Sequence, residues 1–211
     1  MKCGDQEPCF ILLLGSYDPH TKSLLNSIKE FIAKKFQEEI YGTILEDVEI
    51  YICDEKGYAV LVEKEKPIAY IFYLNKILDV LSLKSGDDFE RSLREILKEK
   101  HGVNIEFRLP ILRKLQELAK FSKPILIVRE RELTRGGEYV ELAFLLLEGT
   151  DTSKIVFLWN NKVDISSMVK ELLDACNFNF RPYSSEKELL DEVYRLIYYK
   201  IIEGNINLHP A

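Results

Sequence analysis

Residues 123–161 decide the fold: KPILIV at 123–128, RERELTRGG at 129–137, EYVELAFLLLEG at 138–149, TDTSK at 150–154 and IVFLWNN at 155–161. An apolar run enters a charged loop, the loop turns through Gly136 and Gly137 into an apolar helix, and a second apolar run follows. Runs this uniformly apolar are the pattern of strands covered on both faces. In open α/β sheets ligands bind at the carboxyl ends of the strands, so a site is expected in the loop after residue 128 and in the first turn of the helix behind it.

Outward from this stretch, residues 9–15 are an unbroken apolar run ended by glycine, followed by the loop GSYDPHT. From residue 23, Leu24, Leu25, Ile28, Phe31, Ile32 and Phe36 recur at helical spacing. Residues 48–53 supply a second strand, and 58–62 and 68–73 read as a hairpin across EKEKP. Residues 87–100 form a helix with Gly102 as its stop, and Pro110 opens another. Residues 124–128, 155–159 and 177–180 are later strands, and a helix over 186–202 comes after them, with Ser184 and Ser185 as N-caps. Alternating strands and helices predict an α/β fold with one parallel sheet between two helical layers. The expected architecture is a Rossmann-like, flavodoxin-like three-layer sandwich, a single domain over 1–211 with residues 57–102 as an inserted hairpin and helix.

A chain of 211 residues is long enough for a substantial core, while two full domains would be cramped. With 46% apolar and 30% charged residues it has the balance of a soluble globular protein. A net charge of −6 argues against a nucleic-acid footprint, which needs uncompensated Lys and Arg. EKEK, LREILKEK and RERELTR are mixed-sign runs and read as solvated faces. Cys3, Cys9, Cys53 and Cys176 show no metal-knuckle or CxxC spacing; Cys3 and Cys9 are spaced for a disulfide, but free thiols are the expectation. The apolar start at 10–14 is too short for a signal core or a membrane span, so a cytoplasmic protein without membrane contact is expected. His20, His101 and His209 are scattered, and neither a metal nor a cofactor is expected.

Among residues suited to chemistry, Glu141 is the one ionisable position between Tyr139 and Leu147. Burial raises a carboxylate's pKa and the helix N-terminus lowers it, a balance used to tune a nucleophile or base. Glu138 and Glu141 equally suit the first turn on electrostatic grounds alone. Gly136 and Gly137 allow a tight loop and the approach of a ligand to backbone. Arg129, Arg131 and Arg135 have the chemistry for a phosphate, or for pairing with Glu130 and Glu132. Tyr17 and Asp18, after Gly15 and Ser16, read equally as site and as turn. Trp159, with Asn160 and Asn161 behind it, either stacks on a base or closes the core.

The strand, the loop and Gly137-Glu138-Tyr139-Val140-Glu141-Leu142-Ala143 resemble the nucleoside 2-deoxyribosyltransferase family and its nucleotide N-glycosidase relatives. The resemblance implies an enzyme that cleaves an N-glycosidic bond of a nucleoside or nucleotide, with Glu141 as nucleophile and Tyr17 and Asp18 orienting it or the sugar. It also implies a homodimer. A non-catalytic nucleotide-binding or sensor module on the same fold is the competing expectation. The departures are Glu138 in place of a small polar residue, Arg129 and Glu130 where an aspartate is usual, and no glycine after Glu-Leu.

Overall fold

The structure, a computed structural model, describes residues 9–16, 18–36, 40–53, 57–63, 68–73, 76–83, 89–131, 137–175 and 178–199. The chain opens with β1 (Cys9–Gly15), α1 (Pro19–Phe36) and β2 (Ile40–Ile44). It continues through β3 (Val48–Cys53), β4 (Tyr58–Glu63), β5 (Ile68–Tyr73), β6 (Lys76–Ser82), α2 (Phe89–His101) and β7 (Ile105–Arg108). After α3 (Ile111–Phe121) come β8 (Ser122–Arg129), α4 (Gly137–Leu147), β9 (Ile155–Asn160), α5 (Ser167–Ala175), β10 (Asn179–Tyr183) and α6 (Glu186–Ile197). Two compact units result, one of Met1–Ile44 with Leu115–Ala211 and one of Leu45–Lys114.

In the first unit five strands run in the order β10-β9-β8-β1-β2, every neighbouring pair parallel. Side chains alternate between the faces of a strand. Ile11 and Leu13 of β1 therefore join Leu126, Val128, Val156 and Leu158 in one core with Leu25, Ile28 and Ile32 of α1 and Leu189, Val193 and Leu196 of α6. On the other face Tyr139 of α4 stacks on Phe157 at 6.3 Å, while Leu142 and Leu145 are buried. Crossovers between parallel strands must travel back over the sheet, which is why α1 and α4 lie on it.

The second unit is an antiparallel sheet in the order β6-β5-β4-β3-β7. Leu93 and Leu97 of α2 pack into Cys53, Val60, Val62, Ala69 and Ile71. Tyr51 crosses to α2, its hydroxyl donating to Glu90 Oε1 at 3.0 Å.

This second sheet overturns the expected single three-layer sandwich: the architecture is not a simple Rossmann-like or flavodoxin-like one, because half of its strands form an antiparallel sheet of their own. The strand at 48–53, expected as the second strand of a parallel sheet, is β3 and pairs antiparallel with β4 and β7 instead. The place beside β1 belongs to β2, whose sequence IYGTI carries too little apolar signal to be read as a strand. A side chain would fit only tightly at its glycine, because a Cβ at Gly42 would lie 3.3 Å from the Lys29 Cα and 3.2 Å from Ile32 Cδ1 of α1. The expected hairpin at 58–73 is present as β4 and β5, but β6 and β7 extend it to a full sheet. Cys9 is disulfide-bonded, against the expectation of free thiols. Cys53 is buried and not disulfide-bonded. Cys3 and Cys176 lie outside the described residues.

Ser185 caps α6 as expected, whereas α1 begins at Pro19, ahead of the expected start at residue 23. Asp18 opens α1, its Oδ1 accepting from the backbone amides of His20 at 3.0 Å and Thr21 at 3.2 Å, with Pro19 as first helical residue. Ser185 caps α6 by accepting from the Glu188 amide. Gly149, at φ 72°, ends α4: its amide reaches Leu146 O and the Thr150 amide reaches Leu145 O, both at 3.0 Å. Among the described residues no helix is long and apolar enough to cross a membrane.

The tightest backbone approach is at the end of β1. A Cβ at Gly15 would stand 2.9 Å from the Val128 carbonyl oxygen of β8 and 3.3 Å from Thr21 Cγ2. Gly15→Ala is expected to destabilise the protein by about 1–3 kcal/mol, because backbone on a central strand cannot move aside cheaply. Denaturant unfolding checks this, and an unchanged midpoint would refute the close packing.

Candidate functional site

Strand order reverses between β1 and β8, so the loops leaving these two strands diverge and open a crevice at the carboxyl edge of the parallel sheet. The residues that leave β8 divide between the two faces. Arg129, buried at 7% exposure, turns to α4, where its guanidinium pairs with the fully buried Glu138 and lies 4.8 Å over the Tyr139 ring. A buried ion pair of this kind locks the start of the helix, since removing one partner would strand the other charge.

Glu130 turns the opposite way. Its Oε2 accepts from the Tyr183 hydroxyl at 2.6 Å and from Asn160 Nδ2 at 3.3 Å, and its Oε1 stands 3.4 Å from His20 Nε2. These partners come from the ends of β10 and β9 and from the first turn of α1. One carboxylate oxygen is thus anchored while the other faces the loop after β1. Asn160 is itself held, its Oδ1 accepting from the Lys162 amide at 3.1 Å. Burial and the adjoining Glu130 carboxylate together push the Tyr183 hydroxyl far above the ordinary tyrosine value, so it remains a proton donor.

A cavity of about 770 Å³ lies along this group, bounded by Asp18, Pro19, Arg131 and Val163. A second of about 280 Å³ adjoins it, bounded by Ser23, Ser27 and the start of α6. The two share His20, Glu130, Asn160 and Lys162, which makes them two lobes of one cleft. The larger volume falls within the usual range for small-molecule sites, roughly 300–1,000 Å³. Among the described residues no group of three or more His, Cys, Asp or Glu is placed to hold a metal ion.

The residues expected from sequence are only partly gathered here. Asp18 lines the larger lobe, but its carboxylate is engaged by α1: burial raises its pKa, and hydrogen bonds from Thr21, His20 and Ser16 outweigh this and hold it below the ordinary aspartate value. Thr21 Oγ1 donates to its Oδ2 at 2.6 Å. Ser16 is buried beside it, and Gly15 serves the β1–β8 contact. Glu141, 6% exposed, is buried in α4 and lines neither lobe. Glu138 and Arg129 are joined to each other, away from the cleft. Gly137 starts α4 with open space where a Cβ would be and without a positive φ. Trp159 closes the structure rather than the cleft, its Nε1 donating to Val163 O at 2.7 Å and its ring stacking on Phe180 at 5.1 Å. Tyr17, Arg135 and Gly136 lie outside the described residues.

Sequence reasoning missed Glu130, His20, Lys162 and Tyr183 as site residues. A signal for them existed: each is at, or one to a few residues past, the end of a run that forms a parallel strand. Charge pairing within RERELTR and the apparent scatter of the histidines hid it.

No protein-family model matches the chain, and a search of curated proteins finds no match. Among solved structures the chain is similar to a conserved protein from Enterococcus faecalis V583, at 13% identity and a TM-score of 0.37, over 90% of this chain and 99% of that one.

The Tyr183–Glu130 contact gives a pH dependence with a definite sign. A folded-state pKa raised above the ordinary tyrosine value of 10.0 contributes stability that is complete below pH 10 and is lost as pH rises further. Tyr183→Phe is expected to cost about 1–3 kcal/mol at neutral pH, the range for a buried hydrogen bond to a charged group. The deficit relative to wild type should shrink above pH 10, as read from denaturant unfolding at several pH values. A deficit constant to pH 11 would refute the assignment.

Proposed function

We propose that the cleft binds a nucleoside or nucleotide and that the chain cleaves its N-glycosidic bond, with Glu130 as the carboxylate that acts on the sugar. The observation that carries this reading is the meeting of His20, Asn160 and Tyr183, from three other segments, at the Glu130 carboxylate, which lies on the ridge shared by both lobes of the cleft at the carboxyl edge of a parallel sheet. The sequence resemblance supports the substrate class, and the geometry supports a different carboxylate from the one that resemblance implies.

The chemistry is balanced on these groups. Glu130 Oε1 attacks the anomeric carbon, the bond to the base nitrogen breaks, and the base leaves with the bonding pair and takes up a proton from solvent. Water then opens the glycosyl ester, its hydroxyl going to the sugar and its proton to solvent, which restores the Glu130 carboxylate. Tyr183 and Asn160 hold the second oxygen of Glu130, so the attacking one is oriented before the ligand arrives. A homodimer remains part of the proposal on the strength of the resemblance.

One observation favours the second reading, a non-catalytic nucleotide-binding module. The other carboxylate of the larger lobe, Asp18, is occupied in capping α1, which leaves Glu130 without a second carboxylate beside the same bond. Binding without turnover is its signature.

Incubation with a panel of nucleosides and 5′-monophosphates, followed by chromatography of free base, separates the two. The expected result is release by wild type, a loss of about 100-fold or more in Glu130→Gln as for removal of a nucleophile or general base, and near-wild-type release by Glu141→Gln. Equal release from wild type and Glu130→Gln would refute the mechanism. Thermal stabilisation by a ligand that is never cleaved would establish the binding-module reading instead.

A further inference from the structure

The two lobes differ in chemistry. The smaller is walled by the hydroxyls of Ser23 and Ser27, one turn apart on α1, and by Ser184, Ser185 and Glu186 where β10 passes into α6, with Glu130 on the ridge that it shares with the larger lobe. The hydroxyls at the start of α6 retain hydrogen-bonding capacity. Ser185 Oγ accepts from the Glu188 amide and keeps its proton to donate, whereas Ser184 Oγ donates to Glu188 Oε2 and keeps its lone pairs. At 280 Å³ the lobe suits one hydrated ring rather than a whole nucleoside. The larger lobe has the apolar surfaces of Pro19 and Val163 that a planar base would cover.

The charges of the smaller lobe point the same way. Glu130 and Glu186 both face it, and Lys162 is its one Lys or Arg among the described lining residues. Arg129, the nearest arginine in sequence on the strand side of Glu130, is turned to Glu138. Sugar hydroxyls would meet serine hydroxyls and carboxylate acceptors there, which suits neutral donors. A phosphate carrying close to two negative charges would meet two carboxylates there, Glu130 and the exposed Glu186, and like charges repel.

Resting on the reading that the cleft takes a nucleoside-type ligand, we infer that the smaller lobe is a sugar subsite selective for an unphosphorylated ribosyl or deoxyribosyl group, so that the ligand is a nucleoside and not its 5′-monophosphate. Glu186 is the specificity-determining residue against phosphate, and Ser27 is a hydroxyl contact of the sugar.

Calorimetric titration of the full chain with adenosine, inosine and thymidine, each against its 5′-monophosphate, tests this. The nucleoside is expected to bind about tenfold or more tightly than the matching monophosphate, the scale of a like-charge contact in a partly screened site. Glu186→Gln should narrow that ratio by strengthening monophosphate binding, and Ser27→Ala should weaken nucleosides about three- to tenfold, the worth of a neutral hydrogen bond. Circular dichroism of both variants confirms their folding; Glu186 is exposed on the first turn of its helix, so its replacement by Gln leaves the core untouched. Equal or tighter binding of monophosphates, or a ratio unmoved by Glu186→Gln, overturns the inference while leaving the nucleoside-type reading standing. Absence of binding by every member of both series overturns that reading and this inference with it.

Discussion

The alternation of side chains at the end of β8 governs the electrostatics of the whole cleft. Arg129 and Glu130 are adjacent in sequence, and a strand sends neighbours to opposite faces. Opposite charges side by side in RERELTR suggest a solvated pair, yet the sheet separates them completely. The arginine goes under α4 and neutralises Glu138; the glutamate goes to the side of α1 and α6 and is met by Tyr183 and Asn160. A shift of one residue in the register of β8 would exchange these destinations, placing a cation in the cleft and a carboxylate against Glu138. The parallel pairings with β1 and β9, held from Ile125 through Val128, therefore set the charge of the cleft as well as the packing of the core.

What was legible in the sequence was local and periodic. The spacing of Leu24, Leu25, Ile28 and Ile32 gives α1, and all four are buried. The apolar runs at 9–15, 124–128 and 155–159 are β1, β8 and β9, because strands covered on both faces leave no polar positions to confuse the reading. The serines before α6 announce its cap. What was not legible depends on which segments meet. Nothing in the composition of 48–53 says whether that strand joins a parallel or an antiparallel neighbour. The strand that pairs with β1 on that side, β2, is short and interrupted by Gly42, a residue that lowers strand propensity and sits close under α1.

The site was half legible for the same reason. The rule that ligands gather at the carboxyl edge of a parallel sheet led to the loops after β1 and after β8, which border the cleft. It did not rank the residues within them. Glu141 is conspicuous as a single charge in an apolar helix, but the helix places that charge in the buried layer beside Leu142 and away from both lobes. His20, Glu130, Asn160 and Tyr183 are unremarkable one at a time and lie far apart along the chain. Only the order of the strands makes them neighbours.

Within the first unit the carboxylates near the sheet edge have been given different fates, and this differentiation is what makes a chemical role for one of them coherent. Glu138 is cancelled by a buried guanidinium, which costs little once the pair is formed and much if it is broken. Asp18 is held charged by the amides at the start of α1, an arrangement that stabilises the helix and removes the group as a base near neutral pH. Glu130 alone of these three combines an oxygen fixed by a tyrosine with another that faces an imidazole across the cleft. Glu130 spends one on side chains from two other strands and leaves the other at a cavity wall. The fold therefore fixes the orientation of this carboxylate at the cavity wall, one oxygen on Tyr183 and Asn160 and the other beside His20.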